Sequence, residues 1–233
     1  MFHFSSHGVI MGSDTIRHQA LTLEYEGRFQ EALELFEQCL NDPTFDEGDL
    51  LFHCAWCMEN GKRANDALKL YASAAETTPI PSCRINCYFR IGWILMHNKD
   101  HVQAAEMFRR AIDYGDLVGL HDQTYCHALY WYAVCLEAQA RYLEAMQWYT
   151  LAQSASTMLE PEARLRRLMC LVHVGMYEEA LELCRLFDAP PPADFDSERY
   201  QALRIEVGKE RRILEACLAP PTPHPHANVY AAG

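Results

Sequence analysis

Pairs of an alanine and an aromatic residue four positions later recur along this chain at a nearly constant interval. The central alanines are 35, 37, 41 and 35 residues apart, and the pairs are Ala32/Phe36, Ala67/Tyr71, Ala104/Phe108, Ala145/Tyr149 and, with a thiol in place of the ring, Ala180/Cys184. A period of this length is the signature of a helical repeat array. The alanine lets the second helix of each repeat cross its partner closely, and the ring one turn later fills the space beyond the crossing. The sequence therefore predicts stacked helical hairpins.

Other positions of the repeat keep the same register. Each first helix carries a small residue at Ala20, Ala55, Gly92 and Ala133, with Leu168 in the fifth unit. An aromatic residue precedes the central alanine by three positions at Phe29, Tyr142 and Tyr177, and the other two units have Ala64 and His101. Prolines close units at Pro43, Pro79 and Pro192. This pattern resembles the tetratricopeptide repeat, a helix-turn-helix unit of about 34 residues. The resemblance implies an all-α fold, a right-handed α-α superhelical solenoid of about five helical hairpins with a C-terminal capping helix.

The repeat register also predicts where the chain divides. Residues 1–12 form an N-terminal extension, the repeat array occupies residues 13–192, a charged capping helix follows at 195–218, and a Pro- and His-rich tail at 219–233 is predicted to be disordered. The units of the array are 13–47, 48–81, 82–122, 123–157 and 158–192. Ser13 or Asp14 is expected to cap the first helix. The third unit is the longest, which predicts an inserted loop or half-turn at residues 115–122.

Composition limits the possible partners and location. The formal charge of −12 argues against nucleic acid and anionic membrane surfaces, and favours neutral or basic partners. No apolar run reaches the length of a membrane span, so no membrane insertion is expected. The ten cysteines occupy helical positions in a sequence with no recognisable secretion signal. These features predict a cytoplasmic protein with buried, reduced thiols.

The resemblance also implies where a partner binds, because first helices of successive tetratricopeptide units line a concave groove. The groove positions are rich in Trp, Tyr, Phe and Arg, and of these Trp, Tyr and Arg dominate binding hot spots. We predict the partner-binding residues Arg17, His18, Phe52, His53, Trp56, Phe89, Arg90, Trp93, His97, Tyr130, Trp131 and Arg166. Alternatively, some of these rings pack into neighbouring helices.

The predicted partner is a peptide segment or helix of another protein, apolar or aromatic with basic character. In this hypothesis Arg90 and Arg166 orient the segment, and an acidic rim favours basic residues: Asp14, Glu24, Asp49, Glu59 and Glu137. Some family members instead clamp a peptide carboxylate with Lys, Asn and Arg. Here the expected Asn and Lys are absent, which argues against that clamp.

Two alternatives involve single residue types. Cys54 and Cys57 form a C-x2-C pair, but one pair within a single helix supplies only half of a zinc site, so no metal or other cofactor is predicted. Five histidines also project toward the groove, and their protonation would change its charge: His18, His53, His97, His127 and His173. The plainer interpretation is that they are partly exposed hydrogen-bonding groups.

The chain lacks the phosphate-binding, dinucleotide-binding, nucleophile-elbow and zinc-protease motifs. The sequence therefore predicts a non-catalytic adaptor or scaffold that binds a partner segment. The alternatives are a cytosolic chaperone for a secreted or assembling client, and a regulatory subunit of an enzyme complex.

Overall fold

The computed structural model describes residues 13–219. Within that range the chain forms eleven α-helices and one short 3-10 helix, and no strand. The helices are α1 (Ser13–Tyr25), α2 (Phe29–Cys39), α3 (Glu47–Asn60), α4 (Ala64–Thr77), α5 (Pro81–His97), α6 (His101–Val118), α7 (Gln123–Ala138), α8 (Tyr142–Ala155), α9 (Glu160–His173), α10 (Tyr177–Arg185) and α11 (Ser197–Leu218), with the 3-10 helix at Leu186–Asp188. The prediction of an all-α helical repeat fold is confirmed. The predicted extension at 1–12 and the tail from 220 onward lie outside the described residues.

The hairpins close through the same backbone geometry in every repeat. The residue five positions before each central alanine has a positive φ, at Gly27, Lys62, Lys99, Ala140 and Gly175. In the hairpin after α3, Lys62 N–H donates to Glu59 O at 3.2 Å and Arg63 N–H to Met58 O at 2.8 Å. This is the Schellman arrangement, which satisfies carbonyls at a helix end. The recurrence of this turn fixes where each second helix begins.

Aspartate caps begin several of the helices. Asp46 accepts a hydrogen bond from the backbone N–H of Asp49, and Asp122 accepts one from Tyr125. Such a side-chain acceptor satisfies one of the free N–H groups in the first turn. Helix α1 includes Ser13 and Asp14, and the cap expected at one of them stays a prediction.

The central alanines of the second helices are fully buried. Ala32, Ala67, Ala104, Ala145 and Ala180 all have 0% exposure, and so do the residues four positions later. At Gly92 on α5, an added Cβ would lie 2.9 Å from the Phe108 ring of α6. These close approaches explain why the sequence keeps small residues at the crossings.

The chain divides into two compact units. The first ends at Gln139 and contains α1 to α7, in which each helix packs against the next. The second starts at Ala140 and contains α8 to α11. In the second unit α11 packs against α9, α10 and the 3-10 helix, and it contributes Tyr200, Val207 and Leu214 to the core. These three residues lie seven positions apart, so one stripe of α11 is buried.

The inserted loop or half-turn predicted at residues 115–122 is helical in its first half. Helix α6 continues to Val118, so residues 115–118 form an additional helical turn. Gly115 permits this extension, because a Cβ there would lie 2.6 Å from the ring of Tyr125. Gly119 then ends the helix with a φ of 68°. The longer third repeat therefore reflects a longer helix followed by a short connection.

Nine of the ten cysteine side chains are buried, and Cys217 is exposed. In the core of the first unit, Cys39, Cys54 and Cys57 pack with Phe36 and Leu50. They therefore act as compact apolar residues, as the sequence suggested. Within residues 13–219, no helix combines the length and apolar character that crossing a bilayer requires.

Candidate partner-binding face

The predicted partner-binding residues lie on the first helices of the repeats. Arg17 and His18 are on α1, and the other residues of the first unit are on α3, α5 and α7. We call the surface that these four helices form the first-helix face. Eleven of the twelve predicted residues lie on these four helices: Arg17, His18, Phe52, His53, Trp56, Phe89, Arg90, Trp93, His97, Tyr130 and Trp131. Arg166 lies on α9 of the second unit, so it belongs to a different surface element.

Aromatic rings form a continuous row across α5 and α7. The rings of Trp93 and Trp131 meet edge to face with centroids 5.0 Å apart, and Tyr130 meets Trp131 at 5.2 Å. Phe89 stacks on Trp93 at 6.3 Å, and His97 lies 4.4 Å from Trp93. Tyr130 is buried, whereas Phe89, Trp93 and Trp131 are half-buried and His97 is exposed. The row therefore combines fixed geometry with ring surface that remains open to a ligand.

Arg90 forms an ion pair with a residue of the preceding repeat. Its guanidinium donates Nε to Glu59 Oε2 at 3.0 Å and a second hydrogen bond to Glu59 Oε1. The Tyr71 hydroxyl also donates to Glu59 at 2.9 Å, and the guanidinium lies 4.6 Å from the Trp56 ring centroid. Because Glu59 already holds its guanidinium in a two-point ion pair, Arg90 does not offer a free cation to a partner carboxylate. Arg90 instead positions the indole of Trp56, on α3, beside α5.

Similar polar pairs connect the other first helices. Arg17 donates to Asp49 at 2.8 Å, and His53 Nδ1 lies 2.7 Å from Glu24 Oε2, so both contacts join α1 to α3. Between α5 and α7, Thr124 donates to Asn86 at 2.7 Å. Three acids of the predicted acidic rim therefore have cationic or imidazole partners within the first unit: Glu24, Asp49 and Glu59.

The histidines of the first-helix face have different environments. His18 and His97 are exposed, whereas His53 is held between Glu24 and the ring of Phe36. Burial lowers the pKa of His127, whose ring lies 6.3 Å from that of Phe89. A neutral His127 therefore belongs to the apolar support of the aromatic row.

The Cys54–Cys57 pair lies in the core near Glu24. Burial raises the pKa of each thiol to about 12, so both are protonated at neutral pH. Metal coordination requires the thiolate form. Among residues 13–219, no group of three or more His, Cys, Asp or Glu side chains is arranged to hold a metal ion.

The sequence interpretation missed Tyr71 and Phe108, which support the site from the second helices. Tyr71 contacts Phe52 at 5.6 Å and hydrogen-bonds Glu59, and Phe108 contacts Phe89 at 5.5 Å. Both are the aromatic members of the alanine–aromatic pairs, so the repeat pattern had located them. Their contact with the face could not be read from spacing alone.

Comparison with known proteins agrees with this geometry. Models of the tetratricopeptide repeat match residues 15–51 and 85–114. The chain contains tetratricopeptide repeats. The first matched segment begins in α1 and ends in α3, and the second lies within the α5–α6 hairpin. No curated protein sequence matches the chain.

Solved structures of other tetratricopeptide proteins share the fold at low sequence identity. A MamA structure (RS-1, double mutant) has a TM-score of 0.62 and 12% identity, covering 85% of this chain and 96% of the other. A putative kinesin light chain of Podosopora anserina, with nearly identical TPR-like repeats, gives 0.56 and 15%, covering 83% and 95%. YrrB, described as a TPR protein with an unusual peptide-binding site, gives 0.59 and 12%, covering 87% and 89%. These likenesses show the tetratricopeptide fold.

Proposed function

We propose that this tetratricopeptide-repeat protein is a non-catalytic adaptor that binds a segment of another protein on its first-helix face. The observation that carries the proposal is the aromatic row of Phe89, Trp93, Trp131 and Tyr130, supported by rigid ring contacts and still half-exposed at its centre. Trp and Tyr are enriched in binding hot spots because they combine large apolar area with a polar group. The row therefore supplies an anchor for a partner side chain.

The chemistry of the face suggests what the partner segment contains. Indole and phenol rings bind apolar and aromatic side chains, and they also attract cations to their faces. The net charge of −12 adds a long-range attraction for a basic chain. We therefore propose a segment with an apolar or aromatic anchor and flanking basic residues, in an extended or helical conformation.

The paired charges give the face a defined shape before a partner arrives. Contacts between first helices hold α1 to α3 and α3 to α5, through Arg17–Asp49 and Arg90–Glu59. Side chains already fixed in this way lose little entropy on binding. Arg90 accordingly positions Trp56, and we assign it no direct contact with a partner carboxylate. The use of one fold neighbour, YrrB, for peptide binding is compatible with this role.

A pull-down from the native cell extract, analysed by mass spectrometry, tests the proposal. The bait is wild type or the variant Trp93→Ala/Trp131→Ala, with folding checked by circular dichroism. Loss of two hot-spot indoles costs about 4 kcal/mol, so we expect a captured partner to be lost. The matched control is Leu117→Ala, which removes a side chain that is 79% exposed on the second helix α6.

Retention of the same partners by the double tryptophan variant would overturn the assignment of the first-helix face. The nature of a partner captured by wild type separates the proposed adaptor from its two alternatives. An aggregation-prone client would indicate a chaperone, whereas an enzyme copurifying at fixed stoichiometry would indicate a regulatory subunit.

A further inference from the structure

The second unit contains an open cleft that the proposed function does not use. It has a volume of about 700 Å³, within the range of ligand-binding sites. Helices α8 and α10 form its two walls and α9 lies between them. Its apolar lining consists of Leu143, Met146, Leu171, Leu183 and Leu186.

Two of the lining leucines are unusually exposed for apolar residues. Leu143 at the start of α8 is 59% exposed, and Leu186 beyond the end of α10 is 51% exposed. Isolated exposed leucines are common on protein surfaces, but these two border one cavity and continue into its buried lining. The cleft therefore presents apolar surface suited to a ligand with several apolar groups.

The positive and negative side chains of the cleft lie toward different ends, as the contacts of its helices show. Arg167 of α9 donates to Gln153 near the end of α8 at 2.9 Å, and Arg164 donates to the carbonyl of Leu186 at 3.1 Å. At the other end, the ring of Tyr142 stacks on that of His173 at 4.6 Å. Arg167 thus lies at the end where α8 and α10 finish, whereas Glu179 lies where α10 begins.

Arg167 has no carboxylate partner among the described residues. The nearby Glu160 forms an ion pair with Arg164, and Arg167 donates to the neutral amide of Gln153. Burial and the neighbouring Arg164 lower the pKa of Arg167, so its charge is poorly compensated. A carboxylate delivered to this end would restore the balance.

The wall of the cleft that α10 forms is acidic. Glu179 and Glu182 both line the cleft from α10, and within residues 13–219 neither forms an ion pair. The cleft therefore has an anionic wall toward one end, a cation at the other and leucines between. This arrangement is complementary to a ligand that is basic at one end, apolar in the middle and acidic at the other.

We propose that this cleft is a second docking site, which binds a short amphipathic helix of a partner protein in one orientation. The stretch of α8 from Leu143 to Thr150 that lines the cleft corresponds to about two helical turns. Leucines spaced by three or four residues on such a helix fill the apolar lining. A lysine at one end of the helix pairs with Glu179 or Glu182, and a glutamate at the other end pairs with Arg167.

A synthetic helical peptide tests this assignment by fluorescence anisotropy with the full chain. The probe has about 16 residues so that it holds helix, with leucines along one face, lysines at one end and a glutamate at the other. We expect Arg167→Glu to weaken binding about tenfold, and a peptide with glutamate replaced by lysine to regain that loss on the variant. We also expect Leu143→Ser, a change at an exposed position, to weaken binding about tenfold.

Two controls locate the binding. Leu117→Ser changes a leucine of α6 that is 79% exposed, and Trp93→Ala alters the first-helix face, so neither should change the affinity. Methyl-¹³C methionine NMR should show a shift of the Met146 signal, assigned from the Met146→Leu variant. Failure of the probe to bind, or unchanged affinity in both Arg167→Glu and Leu143→Ser, would overturn the proposal. Displacement of the Met146 signal by decanoate but not by the peptide would also overturn it, in favour of a fatty-acid site.

Discussion

At the residue scale, the contact that most changes the interpretation of the site is the pair between Arg90 and Glu59. The Glu59 side chain is 9% exposed and accepts hydrogen bonds from both Arg90 and Tyr71. A carboxylate this buried is costly unless its partners remain in place. The pair therefore positions Trp56 and joins two repeats, although the sequence suggested a free cation.

A double-mutant cycle on this pair tests its structural role. We expect Arg90→Met to reduce the free energy of unfolding by about 3 kcal/mol, because it leaves Glu59 buried without its cation. The double variant Arg90→Met/Glu59→Met should lose less than the sum of the two single variants. Urea denaturation followed by tryptophan fluorescence measures both.

The control is the exposed pair Arg63–Asp66, with side chains 50% and 60% exposed. Its cycle should give a coupling below about 1 kcal/mol. Additive losses at Arg90 and Glu59 would show that the pair does not stabilise the fold.

At the scale of elements, the hairpin turn is the device that repeats most faithfully. Its positive-φ position is glycine at Gly27 and Gly175 but Lys62, Lys99 and Ala140 in the other repeats. A residue with a Cβ is strained in this left-handed conformation, whereas glycine is not. The three non-glycine turns are therefore local weak points of the array.

Replacing Lys99 by glycine should stabilise the first unit. We expect Lys99→Gly to raise the free energy of unfolding by about 1 kcal/mol, because it removes the left-handed strain. The control variant Ala72→Gly changes an exposed interior position of α4, and it should lower the free energy of unfolding by about 1 kcal/mol. Calorimetry or urea denaturation of the two variants measures the opposite signs, and a loss of stability in Lys99→Gly would contradict the turn geometry.

At the scale of the whole molecule, acid stability depends on which histidines are buried. Burial lowers the pKa of His127 from its ordinary value of 6.5. Below that value the unfolded chain takes up a proton that the folded chain resists, so the unfolded state binds more protons. The contribution of His127 to stability is complete above about pH 6.5 and is lost as the pH falls toward its folded pKa.

Substituting His127 should therefore flatten the acid side of the stability profile. We expect His127→Gln to lose less unfolding free energy than wild type between about pH 7 and about pH 5. Urea midpoints measured across that interval check the difference in slope. His18→Gln, which changes an exposed histidine on α1, serves as the control. An equal slope in wild type and His127→Gln would show that this residue is not linked to acid unfolding.

Much of the fold follows from local pattern. The alanine–aromatic period reports which face of each second helix is buried, and glycine, proline and aspartate mark the ends of elements. The start of α4 at Ala64, α6 at His101, α8 at Tyr142 and α10 at Tyr177 could all be predicted in this way. The end of α6 could not, because Gly115 is tolerated in that helix through its close contact with Tyr125.

The repeat register, the all-α class and the positions that supply aromatic rings to the first helices follow from the sequence, because each depends on periodicity along one helix. How side chains from different repeats meet depends instead on the packing of the helices. Glu59 and Arg90 lie on different helices, and the crossing of α3 and α5 brings them together. The cleft between α8 and α10 likewise depends on the distance between two helices, a quantity that no spacing within either helix contains.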